Sequence, residues 1–166
     1  MVIAFVVLVL VIYAVLTSSD KFKEFYLKQV AYSMGYRGDL IFKDITDGTY
    51  KYSLYKPGSD IISMGWLSRE ALAHEISHDM FYKLVYENPD KEANELFARL
   101  KECKLGGISE YSDLYPCVDH KTCLKAYNET LAMVAYRSAL LFPGDIPEEW
   151  VNIYQDIRAW YLRQQP

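Results

Sequence analysis

Residues 71–80 read Ala-Leu-Ala-His-Glu-Ile-Ser-His-Asp-Met, and the five from His74 to His78 decide how the rest of the chain is read. On a helix, side chains four positions apart stand one turn apart on one face. His74 and His78 would then present two imidazoles to one point in space. Two neutral imidazoles so placed suit a tetrahedral zinc ion. Glu75 stands beside them, where a carboxylate can hold a water and take its proton. Two histidines on an ordinary helix would be the blander reading. The small and apolar residues around the motif (Ala71, Leu72, Ala73, Ile76) favour a packed helix instead.

Upstream of the motif the pattern changes. Ser68 is an N-cap residue for the motif helix, which runs to about Tyr86. Residues 60–66 read as a strand leading into it. Residues 38–45 and 49–56 are β-rich and flank Asp47-Gly48, a hairpin signal. Pro57-Gly58 marks the next turn. The expectation is a three-stranded meander. Residues 20–34 read as an amphipathic helix with Phe22, Phe25, Tyr26, Val30 and Met34 at helical spacing and Gly35 as its stop.

Downstream, Asn88-Pro89-Asp90 breaks the motif helix. Residues 90–104 form a further amphipathic helix ended by Gly106-Gly107. A polar loop reaches to about Cys123, a helix follows over 124–141, and a last helix starts around Pro147 after Pro143-Gly144. The whole reads as α+β: a helix, three strands, the motif helix and three further helices.

Two histidines need a third protein ligand and an open position for water. Glu129 is the favoured partner. It lies on a predicted helix, and Ala132, one turn on, would let that helix approach the motif helix closely. Glu92, Glu95 and His120 are the alternatives. Glu92 and Glu95 read more simply as a solvated face. Asp79 is too near the motif to wrap back onto the same ion. Tyr127 and Tyr136 are oxyanion-stabilising possibilities, but with 15 Tyr in the chain both read more simply as packing.

The chain has 166 residues, enough for one domain with a real core. Its 18 Lys and Arg against 22 Asp and Glu give a net charge of −4, which argues against a dedicated nucleic-acid binder. All of these charges lie from Asp20 onward, and residues 2–16 are apolar apart from Tyr13. Residues 1–19 therefore read as a membrane anchor or a signal segment, and residues 20–166 as the functional domain. Lys21, Lys23 and Lys28 after the run favour a cytoplasmic domain if it is an anchor; a cleaved signal would place the domain outside. Cys103, Cys117 and Cys123, with His120, fit either a Cys3His structural zinc site or one disulfide with a thiol left over.

ALAHEISH and ETLAMVAYRSALLFP, the latter from Glu129 to Pro143, each resemble the corresponding stretches of ImmA/IrrE-type peptidases. ETLAMVAY also resembles the glutamate-bearing helix of anthrax-lethal-factor-like catalytic domains. The chain thus looks like a small zincin metallopeptidase of the gluzincin-like kind over about residues 20–145. The resemblance implies a minimal zincin core with one catalytic zinc ion on His74, His78 and Glu129. It implies Glu75 as the catalytic residue and a peptide or protein as substrate. It also implies that the strand before the motif helix, Asp60 to Trp66, forms the cleft edge with Ser63, Met64 and Gly65 near the metal, and holds an extended peptide by strand addition. Three features depart from those families. The stretch between the two motifs is longer and holds all three Cys. Met133 stands where thermolysin-like enzymes carry an Asp. ImmA/IrrE-type proteins are typically cytoplasmic, without a membrane segment.

Overall fold

The computed structural model describes residues 6, 19–43, 53–87, 89–105, 117–140 and 146–165. From residue 19 onward its elements are α1 (Asp20–Ser33), β1 (Asp39–Phe42), β2 (Ser53–Lys56), β3 (Ile61–Met64), α2 (Arg69–Tyr86), α3 (Lys91–Glu102), α4 (His120–Ala139) and α5 (Glu148–Gln164). The α+β class follows directly. The apolar run at 2–16 lies outside the described residues apart from Val6. Among the described residues no helix is long and apolar enough to cross a membrane.

The sheet is mixed, with order β1-β3-β2, and is not a meander. β3 is central, parallel to β1 and antiparallel to β2. The reason lies in β3 itself, whose Ile62 and Met64 are almost wholly buried. A strand with that inward face gains most from the centre of the sheet, where both its edges are paired. β1 and β2 run antiparallel to each other, each paired to β3 and not to the other. They stand two strand spacings apart, about 9.6 Å, with β3 between them. Asp47-Gly48 lies outside the described residues.

Helix ends obey local chemistry. Ser68 Oγ accepts the Ala71 N–H at 3.0 Å, and Asp90 caps α3 through Ala93 N–H at 2.7 Å. α1 ends in a Schellman arrangement: Tyr36 N–H reaches Ala31 O and Gly35 N–H reaches Tyr32 O, with Gly35 at φ +90°. α4 begins at His120, four residues earlier than the sequence reading placed it, because Asp119 and Thr122 form a reciprocal capping box.

α2 is the hub. It packs against β2, β3 and each of the other four helices named above. Its buried residues run almost around its circumference: Leu72, Ala73, Ile76, Met80, Phe81 and Leu84 among them. α5 closes the opposite side with Trp150 and Tyr161, both fully buried, each ring removing roughly 150–250 Å² from water. It also clamps α3. Arg99 meets Asp156 at 2.7 Å, Arg163 meets Glu92, and Trp150 Nε1 donates to Lys104 O at 3.1 Å.

α1 turns only part of its expected apolar face inward. Leu27, Ala31 and Met34 are buried, whereas Phe25 and Tyr26 are 60% and 46% exposed. Met34 and the partly buried Val30 belong to the expected face, so the buried face is that one rotated toward Leu27 and Ala31, with the aromatic side left out.

Candidate metal centre

His74 and His78 stand one turn apart on α2, with their Nε2 atoms 3.1 Å from each other. α4 lies antiparallel across them. Its Asn128 meets His78, and the backbone of Ala132 meets His74, so four residues along one helix match four residues back along the other. Ala132 and Ala135 are fully buried at this crossing, and their small side chains are what allow the close approach. Glu129 is thereby carried over the imidazoles. Its Oε2 is 4.0 Å from His74 Nε2 and 3.9 Å from His78 Nε2.

These three atoms form the single group of metal-ligand type that converges among the described residues. Bonds of about 2.0–2.2 Å in a tetrahedron put ligand atoms roughly 3.3–3.6 Å apart. Separations of 3.1, 3.9 and 4.0 Å straddle that range. Two imidazoles and a carboxylate are also the right donors for zinc. Burial, and then the neighbouring His78, lower the His74 pKa to about 4, so near pH 7 its ring is neutral and can ligate.

The partners behind the ligands fix them. His78 Nδ1 lies 2.9 Å from Asn128 Oδ1. An amide oxygen can only accept, so Nδ1 carries the proton and Nε2 is left unprotonated, its lone pair free to bind a metal beside Glu129. Glu75 is buried, and its Oε2 accepts the Tyr55 backbone N–H from β2 at 2.7 Å. Burial raises the Glu75 pKa, His78 and the Tyr55 hydrogen bond oppose that rise, and Glu129 adds to it.

The cluster opens into a cleft of about 650 Å³. α2 forms its floor, with Phe81 and Tyr82 beyond the histidines. The first half of α4 forms one wall and β2 the other, through Ser53, Leu54 and Tyr55. The strand beside the cleft is therefore β2, not the expected Asp60–Trp66 segment. That segment holds the sheet centre, and Ser63, Met64 and Gly65 do not line the cleft.

The alternatives to Glu129 lie elsewhere. Glu92 pairs with Arg163, Glu95 lies 3.6 Å from Lys91, and His120 is exposed at the start of α4. Asp79 is fully buried, away from the cluster. It accepts hydrogen bonds from Tyr55 Oη at 2.9 Å and from Tyr161 Oη, with Lys83 Nζ at 3.7 Å. Tyr127 donates to Lys101 O, and neither it nor Tyr136 lines the cleft. Cys117 and Cys123 are joined in a disulfide and Cys103 is a buried free thiol, so a Cys3His site is not assembled. Asn128 and the Tyr55 N–H are the site groups that sequence reasoning missed. Asn128 had a signal, since it adjoins Glu129. The Tyr55 amide had none, because a backbone group carries no mark of its own.

No protein-family model, curated protein or solved structure matches this chain significantly.

Proposed function

We propose that this chain is a zinc-dependent endopeptidase of the HExxH type, built on a minimal zincin core. The observation that carries the reading is the meeting of His74 Nε2, His78 Nε2 and Glu129 Oε2 within 4.0 Å of one another beside Glu75, at an open cleft. His74, His78 and Glu129 would hold the ion. Zinc bound there would supply Lewis acidity, bringing the pKa of a water from about 16 towards 7.

The protein's own groups do the rest. The Tyr55 N–H holds one carboxylate oxygen of Glu75, which leaves the other to orient a water and accept its proton. Burial pushes the Glu75 pKa up, in the direction a general base working near neutral pH needs. Asn128 and Ala132 keep both imidazole rings aimed. β2 is a sheet edge beside the cleft, which suits an extended peptide or protein segment as substrate.

We place the domain at a membrane, tethered through residues 2–16. The Cys117–Cys123 bond favours an oxidising compartment for it, against the orientation that the lysines after the apolar run favour.

A zincin-like binding or assembly protein that cleaves nothing is the second reading. Such a protein would close its ligand shell or block its cleft, and the open cleft above Glu129 speaks for the enzyme. The deciding experiment uses the full chain purified in non-ionic detergent. The expected result is about one zinc per chain and cleavage of unfolded protein substrates, with Glu75→Gln retaining zinc and losing at least roughly 10²-fold in rate. Absence of bound zinc, or equal cleavage by Glu75→Gln, overturns the proposal.

A further inference from the structure

A second cavity, of about 210 Å³, lies where α1, α2, α4 and α5 meet. Its polar lining is Tyr26, Ser33, Arg69, Ser138, Tyr154 and Arg158, with no carboxylate among them. Arg99 and Arg163 each hold an acidic partner elsewhere in the molecule. Among the described residues, Arg69 and Arg158 hold none. The Arg158 Nε is buried with no hydrogen-bond partner. Both guanidiniums act electrostatically on the one Tyr154 hydroxyl, so both charges reach the same point.

A guanidinium does not shed its proton to relieve such a position. Two of them around one cavity repel each other, and a buried N–H without an acceptor is unfavourable. Arg69 is also the first residue of α2, the end of a helix where a cation is disfavoured. The last turn of α4 borders the cavity, yet neither arginine is hydrogen-bonded to its carbonyls. What would satisfy every one of these groups is an anion with several acceptor oxygens. Ser33 spends its proton on Val30 O at 2.7 Å, which leaves Arg69, Arg158, Ser138 and Tyr154 as donors, with Tyr26 at the exposed rim.

We propose that this cavity is an anion site for a phosphate group, gripped by Arg69 and Arg158. The site is separate from the metal cluster and does not depend on the peptidase reading. Two sources share that chemistry: free phosphate and the headgroup of an acidic phospholipid. Tyr26, on the cavity's rim, belongs to the exposed stripe of α1 with Phe22 and Phe25, which begins a few residues after the apolar run. Aromatic side chains with one apolar and one wet end sit well at a bilayer surface.

The test is thermal unfolding of the metal-free full chain in maltoside detergent, at ionic strength held constant with sodium chloride. Inorganic phosphate is titrated first. Short-chain phosphatidylglycerol is then compared with phosphatidylcholine of equal chain length. A saturable rise in Tm with phosphate is expected, with at least tenfold weaker affinity in Arg158→Gln and in Arg69→Gln. Arg69 is exposed, so its variant folds even if the other does not. A rise with phosphatidylglycerol alone, lost in the same variants, assigns the site to a lipid headgroup. No rise with any of the three, equal rises with both lipids and none with phosphate, or unchanged affinity in both variants overturns the proposal.

Discussion

Asn128 shows how one uncharged side chain can set the properties of a candidate metal ligand. Its Oδ1 takes the proton-bearing nitrogen of His78 and so fixes which nitrogen faces Glu129. In Asn128→Ala the ring is free to rotate and to adopt either tautomer. Partners of this kind are typically worth 10–100-fold in metal affinity. The expected outcome is zinc affinity lower by about that factor, read by competition with a chromogenic chelator, while the fold persists because Asn128 is only half-buried. Unchanged affinity would mean that His78 is oriented by packing alone. At this scale the convergence of His74, His78 and Glu129, with Glu75 beside them, could be anticipated from the sequence. Side chains of specific chemistry at helical spacing leave few arrangements open. It was blind to Tyr55, which holds Glu75 by its backbone and Asp79 by its hydroxyl.

Among elements, the crossing of α2 and α4 matters most, since neither helix holds a complete site. The interface is set by alanine. Ala132 touches His74 through its backbone and is buried without spare room. A leucine there cannot fit unless α4 moves outward. Overpacking of this kind costs typically about 1–3 kcal/mol, and here the displacement would carry Glu129 away from the imidazoles. Ala132→Leu is expected to unfold at lower denaturant concentration and to bind zinc weakly, whereas Ala139→Leu, at the half-exposed end of α4, does neither. Zinc binding of wild-type strength in Ala132→Leu would show that the helices do not meet as closely as described. Helix content and order could be read from the sequence because caps and apolar periodicity are local signals. Two outcomes were not local. β3 took the sheet centre because Ile62 and Met64 needed cover on both sides. α1 turned Leu27 and Ala31 inward and left Phe25 and Tyr26 outside. The early start of α4 was a local signal that the reading passed over: a carboxylate and a hydroxyl three residues apart satisfy each other.

Across the whole molecule, the buried titratable groups make stability depend on pH, and in opposite senses. Burial lowers the His74 pKa from 6.5 to about 4. Between those values the unfolded chain takes up a proton that the folded protein refuses, so His74 makes stability fall as pH drops from about 6.5 towards 4. Glu75 and Asp79 are raised chiefly by burial. The folded protein keeps their protons while the unfolded chain releases them, so these two groups make stability fall as pH rises above the ordinary carboxylate range. A single pH curve mixes the two trends, but a comparison can separate them. His74→Gln keeps both carboxylates and removes the imidazole. On going from pH 7.5 to 4.5, metal-free wild type is expected to lose on the order of 2–3 kcal/mol more unfolding free energy than His74→Gln. Urea unfolding at the two pH values measures the difference. Equal losses would mean that the His74 ring meets water freely, with neither burial nor His78 acting on its proton. Saturating zinc should steepen the wild-type dependence, because protons and metal compete for the same nitrogens, and should leave the variant's dependence nearly unchanged.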